Sequence, residues 1–442
     1  MRKDLLERLF GLRRFGIRPG LERIEKILKD VGNPQNKIKS IHIAGTNGKG
    51  SISSFLASIY REAGYKVGLY TSPHIYSFNE RIRINGVPIS DTDLEPLVIK
   101  YLKYADSLKA TFFEITTAVA FEYFAETNTD ICIIETGMGG RFDATNILNP
   151  LATIISKIDY DHTDYLGTSI YDIVFEKAGI IKPNKVCFVS FNHQSVYDYL
   201  KKLKGSITNI IFVEKQTQVE NLQLDPDVMK FKFRANDNEY EIYSPLVGKH
   251  QVENIITCIF CVEYLKREYS VGIRNIYNGV KNVRKNTGLF ARFEHLRKSP
   301  PFIIDVAHNP NSVLQVSQLL ECVYPTIQWN VIFASMKDKN YIEMLKILCH
   351  KAKTIILPNL RYERAERNFI IQKKFVEEIQ QYCNQKLNVI SVENTEEAFS
   401  IVKERNQPTL VIGSFYLISE LVEIFRKEFN WDFHIYSDKI IV

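Results

Sequence analysis

The sequence predicts an α/β fold arranged as two domains. Short apolar segments typical of strands alternate with amphipathic stretches of helical length along most of the chain. A glycine-rich loop joins the first of these strands to a helix, and the alternation restarts beyond residue 290. A chain of 442 residues also exceeds what one hydrophobic core usually supports.

The composition narrows the class of protein. An apolar content of 45% and a charged content of 24% are ordinary for a globular enzyme. A net charge of +6, dispersed among acids, favours no nucleic-acid partner. No apolar run approaches the roughly 18 residues of a membrane span, and the N-terminal segment lacks a signal-peptide core. Seven scattered cysteines fit a reducing compartment, so we expect a cytoplasmic protein without a membrane partner.

The first elements are two helices within residues 4–29, separated by a break that contains Gly16, Pro19 and Gly20. Further predicted elements of the first domain are strands at 38–44, 66–72, 130–135, 151–158, 185–190 and 209–214, helices at 52–60, 111–125 and 250–268, and an antiparallel hairpin of 229–234 with 239–243. Residues 79–90 are predicted to be a loop that folds over a site, and Lys281 to Gly288 a turn-rich linker. Cys258 and Cys261 have CxxC spacing, but their apolar helical surroundings favour buried thiols over zinc.

The glycine-rich loop, residues 45–51, has the composition of a phosphate cradle. Its glycines allow backbone N–H groups to converge at a helix N-terminus, Lys49 can bridge phosphate oxygens, and Ser51 can reach a bound Mg²⁺. The strict Walker pattern fails, because Ile43 replaces its first glycine and Gly50 separates the lysine from the serine. An ordinary glycine-rich turn is the structural alternative. We interpret the loop as a nucleoside triphosphate site.

Polar residues follow two other predicted strands of this domain. Glu135 ends a fully apolar strand, where a carboxylate beside a phosphate loop is well placed for Mg²⁺ and a structural acid is the alternative. His162 lies among three acids in residues 159–164 and is either a metal or phosphate contact or a hydrogen-bonded loop residue. Lys177, on the next helix, is a functional or a surface cation, and the pattern leaves both open.

The second domain is predicted from strands at 302–306, 331–335, 354–357, 388–392 and 409–412 with helical stretches between them. It has no phosphate loop of its own. Its first strand ends in Asp305, followed by His308 and Asn309. An acid, a histidine and an amide at a strand end predict a site in the cleft between the two domains.

Eight motifs in this order resemble the folylpolyglutamate synthase/dihydrofolate synthase family of Mur-ligase-like ATP-dependent amide ligases. They are HIAGTNGKGS, TSPH with FNERIRING, ETGMGGRFDATN, DHTDYLG, EKAGIIK, GKHQVEN, ARFE and DVAHNP. The resemblance implies a P-loop NTPase-type, mostly parallel sheet domain with a small antiparallel extension over residues 1–290. It also implies a smaller C-terminal Rossmann-like domain over residues 291–442.

The same resemblance implies site residues. ATP would be bound by Asn47, Gly48, Lys49, Gly50, Ser51, Asn254, Arg292 and Asp305, and Mg²⁺, as two ions, by Ser51, Ser72, Glu135 and His162. Lys177 matches a lysine that is carbamylated in the family, and with Lys49, Asp305 and His308 it is assigned to catalysis. The pterin end of the substrate would meet Phe112, Phe113, Glu114, Phe142, Asp143 and Ala144. Two spellings depart from the family: Val306 in DVAHNP, and Thr136, Met138 and Phe142 in ETGMGGRFDATN.

The function implied is transfer of L-glutamate to dihydropteroate, to reduced folates or to both, through an acyl phosphate, by a monomer. Phosphoryl transfer requires positioning and charge neutralisation, which Lys49 and Mg²⁺ supply. Three alternatives remain: another Mur-type ligase such as a muramyl-peptide ligase, a P-loop NTPase switch, and a nucleic-acid-binding ATPase. This sequence shows no obvious separate domain for the UDP-sugar of a muramyl-peptide ligase. A P-loop NTPase switch would leave the DVAHNP motif unexplained, and a nucleic-acid-binding ATPase would need a clustered basic face.

Overall fold

A computed structural model describes residues 2–16, 18–203, 209–235, 238–383 and 387–431. Within these ranges the first sheet has eight strands, of which six are parallel. They are β1 Ser40–Ala44, β2 Val67–Tyr70, β3 Ile82–Ile84, β4 Val87–Pro88, β5 Ile131–Glu135, β6 Ala152–Ile155, β7 Val186–Val189 and β8 Ile210–Phe212, in the spatial order β4-β3-β2-β5-β1-β6-β7-β8. The α/β prediction for this part of the chain is confirmed.

The centre of this sheet follows from its sequence. Every residue of β1 and β5 is buried, because helices cover both faces of the sheet. Burial on both faces matches the sequence pattern, in which apolar residues do not alternate with polar ones. The predicted strands at 38–44 and 130–135 are therefore confirmed, with Glu135 as the last residue of β5.

The prediction of a loop at 79–90 is wrong. Residues 82–84 and 87–88 form β3 and β4, and β3 pairs antiparallel with β2 at the edge of the sheet. The Asn85-Gly86 turn joins them, with positive φ at both residues. This is the turn that a two-residue hairpin requires, so the dipeptide indicated a hairpin rather than a loop.

A second, antiparallel sheet contains β9 Gln218–Leu224, β10 Met229–Ala235 and β11 Asn238–Ser244. The predicted hairpin is confirmed in its two strands, while its turn at residues 236–237 lies outside the described residues. The strand β9 was not predicted. Its residues are mostly polar, and four of the seven are exposed while three are half-buried, as an edge strand allows, so it carries little apolar signal.

The third sheet contains β12 Glu294–Lys298, β13 Pro301–Ile304, β14 Trp329–Phe333, β15 Ala352–Pro358, β16 Asn388–Val392 and β17 Thr409–Ile412, in the order β12-β13-β17-β14-β15-β16. All five predicted strands are present and parallel. The antiparallel edge strand β12 was missed, because its residues are half-exposed and polar.

Helices connect and cover the sheets in the described ranges. They are α1 Lys3–Gly11, α2 Glu22–Asp30, α3 Lys49–Glu62, α4 Asp91–Ser107, α5 Phe112–Glu126, α6 Thr163–Leu166, α7 Ile170–Ala178, α8 Gln194–Leu203, α9 Lys249–Leu265, α10 Ile273–Lys281, α11 Val283–Thr287, α12 Pro310–Val323, α13 Tyr341–Leu348, α14 Asn368–Lys374, α15 Thr395–Arg405 and α16 Phe415–Phe429. The two N-terminal helices are confirmed, and Cys258 and Cys261 are fully buried on α9, as predicted.

The prediction of a turn-rich linker at 281–288 is wrong for most of its length. Residues 283–287 form α11, which packs against α3. Asn286 is buried, and its amide donates to Ser58 Oγ at 3.0 Å and to Glu62 Oε1 at 2.7 Å. The polar side chain of Asn286 makes hydrogen bonds to buried groups rather than to water. Amino-acid composition does not tell these two cases apart.

One apolar core joins the three sheets. Its members include Ile41 of the first sheet, Phe231 of the antiparallel sheet, Ile255 of α9 and Val331 of the third sheet. The core fixes the first and third sheets so that the loops after their parallel strands meet.

Candidate active site

A cleft of about 970 Å³ lies where these loops meet. Loops that follow β1, β2, β5 and β6 line one wall, and loops that follow β13, β14, β15 and β17 line the other. Ligands in open parallel sheets bind at the carboxyl ends of strands. A cleft is therefore present between the two α/β units, where the sequence predicts the site.

The glycine-rich loop begins this wall and leads into α3. Gly48 has φ +90°, and a Cβ there would approach Asn254 Oδ1 to 2.6 Å, so only glycine fits. Lys49 is the first residue of α3, and its Nζ donates to the carbonyls of Gly45 at 3.1 Å and Thr46 at 3.2 Å. The helix N-terminus and the ammonium group thus lie at one place, as an anion site requires.

Two amide chains extend from this loop. Asn254 donates to Gln251 at 3.1 Å, and Gln251 donates to the buried hydroxyl of Ser51 at 3.4 Å. Asn309, from the opposite wall, donates to Asn47 Oδ1 at 2.9 Å. The loop is therefore contacted both by α9 and by the third sheet.

Glu135 lies beside the loop. A Cβ placed on Gly50 would lie 3.8 Å from Glu135 Oε2 and 3.6 Å from Arg292 Nη2, which brings these residues together. Glu135 accepts the backbone N–H of Ser72 at 3.1 Å. Burial raises the pKa of Glu135, and the nearby Lys49 opposes that rise.

No three His, Cys, Asp or Glu side chains gather as a metal site anywhere in the described ranges. The donors near the loop are instead one carboxylate and the hydroxyls of Ser51 and Ser72. Hard oxygen donors of this kind suit Mg²⁺, which usually takes few protein ligands and completes its shell with water and phosphate. The residues present therefore fit Mg²⁺ held together with a nucleotide.

Lys177 and His162 lie behind the loop. Lys177 is buried on α7, and its Nζ donates to Gly45 O at 2.8 Å, the carbonyl that Lys49 also contacts. Burial, reinforced by Lys49, lowers the pKa of Lys177 to about 7. His162 has φ +52° at the start of α6, and burial lowers its pKa to about 4. The sequence left open whether Lys177 is a functional or a surface cation, and its burial excludes the surface position.

Asp305 and Arg292, which are predicted to bind the nucleotide, line the opposite wall. Asp305 accepts N–H groups of Phe293 and Ala307, both at 2.7 Å. Burial raises the pKa of Asp305, and Arg292 is the main group opposing that rise. Arg292 donates to the carbonyl of Ala291 at 3.2 Å, and its guanidinium lies 5.6 Å from the Phe415 ring centroid.

A polar network at the centre of the cleft joins the walls. Asp161, after β6, forms a buried ion pair with Lys339, after β14. Asn309 donates to Asp161 Oδ2 at 3.3 Å, and His308 Nε2 lies 3.7 Å from the same oxygen. Nδ1 of His308 lies 2.9 Å from the Val306 carbonyl, so this nitrogen carries the proton.

The residues predicted for the pterin end line the far side of the cleft. The Phe112 ring lies 5.2 Å from the Arg81 guanidinium, and the Phe113 ring rests on Gly137, where a Cβ would come within 2.6 Å of it. Glu114 is engaged elsewhere: its carboxylate accepts from Arg23 at 2.9 Å and from the Thr111 N–H at 2.7 Å in a capping box.

Phe142, Asp143 and Ala144 follow β5 on the same side. Phe142 is 41% exposed and stacks with the Arg141 guanidinium at 4.1 Å. Asp143 is buried and accepts four hydrogen bonds from its own loop. Its carboxylate is therefore committed to loop structure, whereas the Phe142 ring is free to meet a ligand.

Several cleft residues were missed from the sequence. Lys339 carries no motif, and only the fold brings it to Asp161. Arg13 comes from the 3₁₀ turn after α1, yet its guanidinium lies 5.3 Å from the Phe112 ring and 6.0 Å from the Tyr362 ring of the opposite wall. His250 lines the cleft next to the predicted Asn254, and its place in the GKHQVEN motif was an available signal.

Family models match most of the chain. Residues 43–262 match the Mur ligase middle domain, and residues 291–414 match the Mur ligase, glutamate ligase domain. The dihydrofolate synthase/folylpolyglutamate synthase of Bacillus subtilis is 32% identical over 431 residues, which cover 95% of this chain and 98% of that protein. The chain belongs to the dihydrofolate synthase/folylpolyglutamate synthase family. The predicted family and fold class are confirmed.

Solved structures of this family agree. Folylpolyglutamate synthase of Mycobacterium tuberculosis, complexed with ADP and AMPPCP, superposes with a TM-score of 0.82 at 26% identity over 96% of this chain and 99% of that chain. An FPGS-AMPPCP-folate complex gives a TM-score of 0.80 at 27% identity over 95% and 99%. In the described ranges, every helix is too short or too polar to cross a membrane.

Proposed function

We propose that the protein is an ATP-dependent ligase that joins L-glutamate to dihydropteroate, to reduced folates, or to both, through an acyl phosphate. The observation that carries this proposal is the meeting of a phosphate loop from one sheet with Arg292 and Asp305 from another in a single cleft. A hydrolase switch has no need of the second wall. Relatives named for both activities, and related structures holding ATP analogues and folate, support the ligase.

The ATP phosphates would lie on residues 47–51. Backbone N–H groups at the start of α3 and the Lys49 ammonium supply the positive potential that the γ-phosphoryl group needs. Within the described residues, the hydrogen bonds that Lys49 Nζ donates go to two loop carbonyls, so the ammonium group can turn to phosphate. Asn254, Arg292 and Asp305 would bind the rest of the nucleotide.

Mg²⁺, as two ions, would be held by Ser51, Ser72, Glu135 and His162. When bound, the ions neutralise phosphate charge and polarise the γ-phosphoryl group. The raised pKa of Glu135 shows that burial opposes its charge, which a cation beside it would relieve.

Lys177 would carry a carbamate. Carbon dioxide adds to an unprotonated amine, forming an N–C bond and releasing one proton, which replaces a cation with a carboxylate. The lowered pKa of Lys177 supports this, because a large fraction of its amine is unprotonated near neutral pH. A carboxylate at this position lies next to the loop that would hold ATP.

The reaction itself explains the two walls. The substrate carboxylate attacks the γ-phosphorus and displaces ADP; the amino group of glutamate then attacks the acyl carbon, phosphate leaves, and the amine loses a proton. The acyl phosphate must be kept from water between these steps. We therefore propose two domains, residues 1–290 and 291–442, that close on it, with the catalytic residues His308 and Asp305 on the second. Residues 112–114 and 142–144 would receive the pterin end.

We also propose that the enzyme acts as a monomer in the cytoplasm. Both walls of the cleft come from one chain, so no second copy is needed to complete the site. The seven cysteines, all within the described residues, form no disulfide.

One assay tests the proposal. Phosphate release and amide formation are measured with ATP, Mg²⁺ and L-glutamate, with dihydropteroate, tetrahydrofolate or a muramyl peptide added separately. We expect amide formation with one or both pteroate substrates and none with the muramyl peptide. Turnover restricted to the muramyl peptide, or ATP hydrolysis without any carboxylate substrate, would contradict the proposal.

A further inference from the structure

A buried histidine lies at the centre of the first sheet. His42 is the middle residue of β1, between the strands β5 and β6, and is 0% exposed. Its Nε2 lies 2.7 Å from Thr145 Oγ1, on the loop after β5. Neither residue faces ATP or Mg²⁺ in the proposed mechanism, so the contact needs another explanation.

The direction of the hydrogen bond between His42 and Thr145 follows from the next residue in the chain of contacts, Asp143, which accepts from Thr145. Each oxygen of the Asp143 carboxylate accepts two hydrogen bonds: Oδ2 from the N–H groups of Gly137 at 2.9 Å and Met138 at 3.0 Å, Oδ1 from the Thr145 N–H at 3.0 Å and its hydroxyl at 2.5 Å. A carboxylate with four donors is an acceptor only. The single hydroxyl proton of Thr145 therefore goes to Asp143.

His42 must then donate to Thr145. Burial lowers the pKa of His42 to about 3, so the imidazole is neutral and carries one proton. That proton lies on Nε2, because the Thr145 oxygen has none left to give. Nδ1 is correspondingly an acceptor, and it has no hydrogen-bond partner among the described residues. The result is a directed chain from His42 through Thr145 to Asp143.

Asp143 organises the wall for the pterin end. It ties residues 137 and 138 to residue 145, which closes the loop on itself, and Phe142 projects between these ties. The Phe113 ring rests on Gly137, so its position also depends on this loop.

We propose that His42 is a positioning residue for the pteroate substrate, acting through Thr145 and Asp143 to hold the loop of residues 136–146. The inference rests on the proposed function, because it assigns that loop to the pterin end. Loss of the Nε2–H donor leaves Thr145 free to rotate away from Asp143, and the loop loosens. The consequence is weaker binding of the pteroate substrate, with ATP binding retained.

The test compares removal of the hydrogen bond with its conservation. His42→Leu and Thr145→Val remove the donor and the relaying hydroxyl, whereas His42→Gln keeps an amide N–H near the Nε2 position and Thr145→Ser keeps the hydroxyl. Thr153→Val is the matched control: Thr153 is buried opposite His42 on β6, but its hydroxyl donates to Val186 O at 3.3 Å, away from the loop. KM for the pteroate substrate, KM for ATP and kcat are measured for each variant.

We expect KM for the pteroate substrate to rise about tenfold in His42→Leu and Thr145→Val, because a tenfold change corresponds to the free energy of one hydrogen bond in a charged network. KM for ATP should stay within about twofold of the wild-type value. The two conservative variants and Thr153→Val should stay within about threefold for both. If His42→Leu does not fold, Thr145→Val alone carries the test. Equal rises in both KM values, or a lower kcat with unchanged KM values, would overturn the inference. Wild-type enzyme that turns over no pteroate substrate would instead refute the proposed function.

Discussion

Loss of the Lys339 side chain should uncouple ATP use from amide formation. Lys339 and Asp161 are only 8% and 7% exposed, and their ion pair joins the loops after β14 and β6. Burial alone would raise the pKa of Asp161, but Lys339 and the neighbouring histidines hold it well below its usual range. In Lys339→Met, the hydrogen bonds left to the Asp161 carboxylate within the described residues come from the backbone N–H of His162 at 2.8 Å and the Asn309 amide at 3.3 Å.

The free-energy cost of Lys339→Met follows from the loss of the ion pair while two hydrogen bonds to Asp161 remain. Removing one partner of a buried ion pair costs about 3–5 kcal/mol, and the two remaining hydrogen bonds place the expected cost near 3 kcal/mol. Because the pair spans the cleft, the cost falls on the closed arrangement of its walls. A change of about 3 kcal/mol shifts the ratio of closed to open forms by about 150-fold. Water then reaches the acyl phosphate before the amine does.

The assay measures phosphate and amide in the same reaction. We expect one phosphate per amide in the wild type, and in Lys339→Met a lower kcat with phosphate in excess over amide. Lys403→Met is the matched control, since its pair with Glu428 is 57% and 36% exposed and contributes below about 1 kcal/mol. Wild-type kcat with one phosphate per amide in Lys339→Met would refute a closing role for the ion pair.

Four further predictions concern the proposed site. Lys49→Ala should lower turnover at least about a hundredfold with little change in the thermal unfolding midpoint, because the described hydrogen bonds of the lysine go to two loop carbonyls; near-normal turnover would remove it from the phosphate site. Glu135→Gln and His162→Ala should each raise the Mg²⁺ concentration for half-maximal activity, and an unchanged Mg²⁺ titration would make that residue structural. Lys177→Ala should be nearly inactive and partly restored by a small added carboxylate. In the wild type, the unprotonated fraction of Lys177 grows as pH rises through its pKa of about 7. At constant CO₂, the amount of carbamate detected by mass spectrometry should therefore increase between about pH 6 and about pH 8. An unmodified amine in active enzyme would refute the carbamate. Asp305→Ala should lower turnover at least about tenfold while circular dichroism shows a folded chain, less stable by about 2 kcal/mol because two buried N–H groups lose their acceptor; full activity would exclude Asp305 from the site.

Local patterns were sufficient for elements whose burial is uniform. The strands β1 and β5 are buried along their whole length, so their apolar runs identified them and located the loops at their ends. Edge strands such as β9 and β12 carry mixed polar and half-exposed residues, and periodicity did not separate them from loops. The helix α11 was mistaken for a linker, because a buried asparagine and an exposed one look the same in a sequence.

Residue chemistry and order alone determined the class of protein and the glycine-rich loop. Glu135 ends a strand, Asp305 directly follows one, and Lys49 begins the helix after β1. Parallel strands bring their carboxyl ends to one edge, so the sequence located these residues near a common site. Which side chains are free to act was decided only by tertiary structure. Glu114 and Asp143 were predicted together with Phe142 to meet the pterin end, yet both carboxylates accept hydrogen bonds from backbone N–H groups and other partners within the fold. The pairing of Lys339 with Asp161 and the chain from His42 to Asp143 join residues more than 100 positions apart. Burial and hydrogen bonding at such separations depend on how the sheets pack, and no local pattern of residues carries that information.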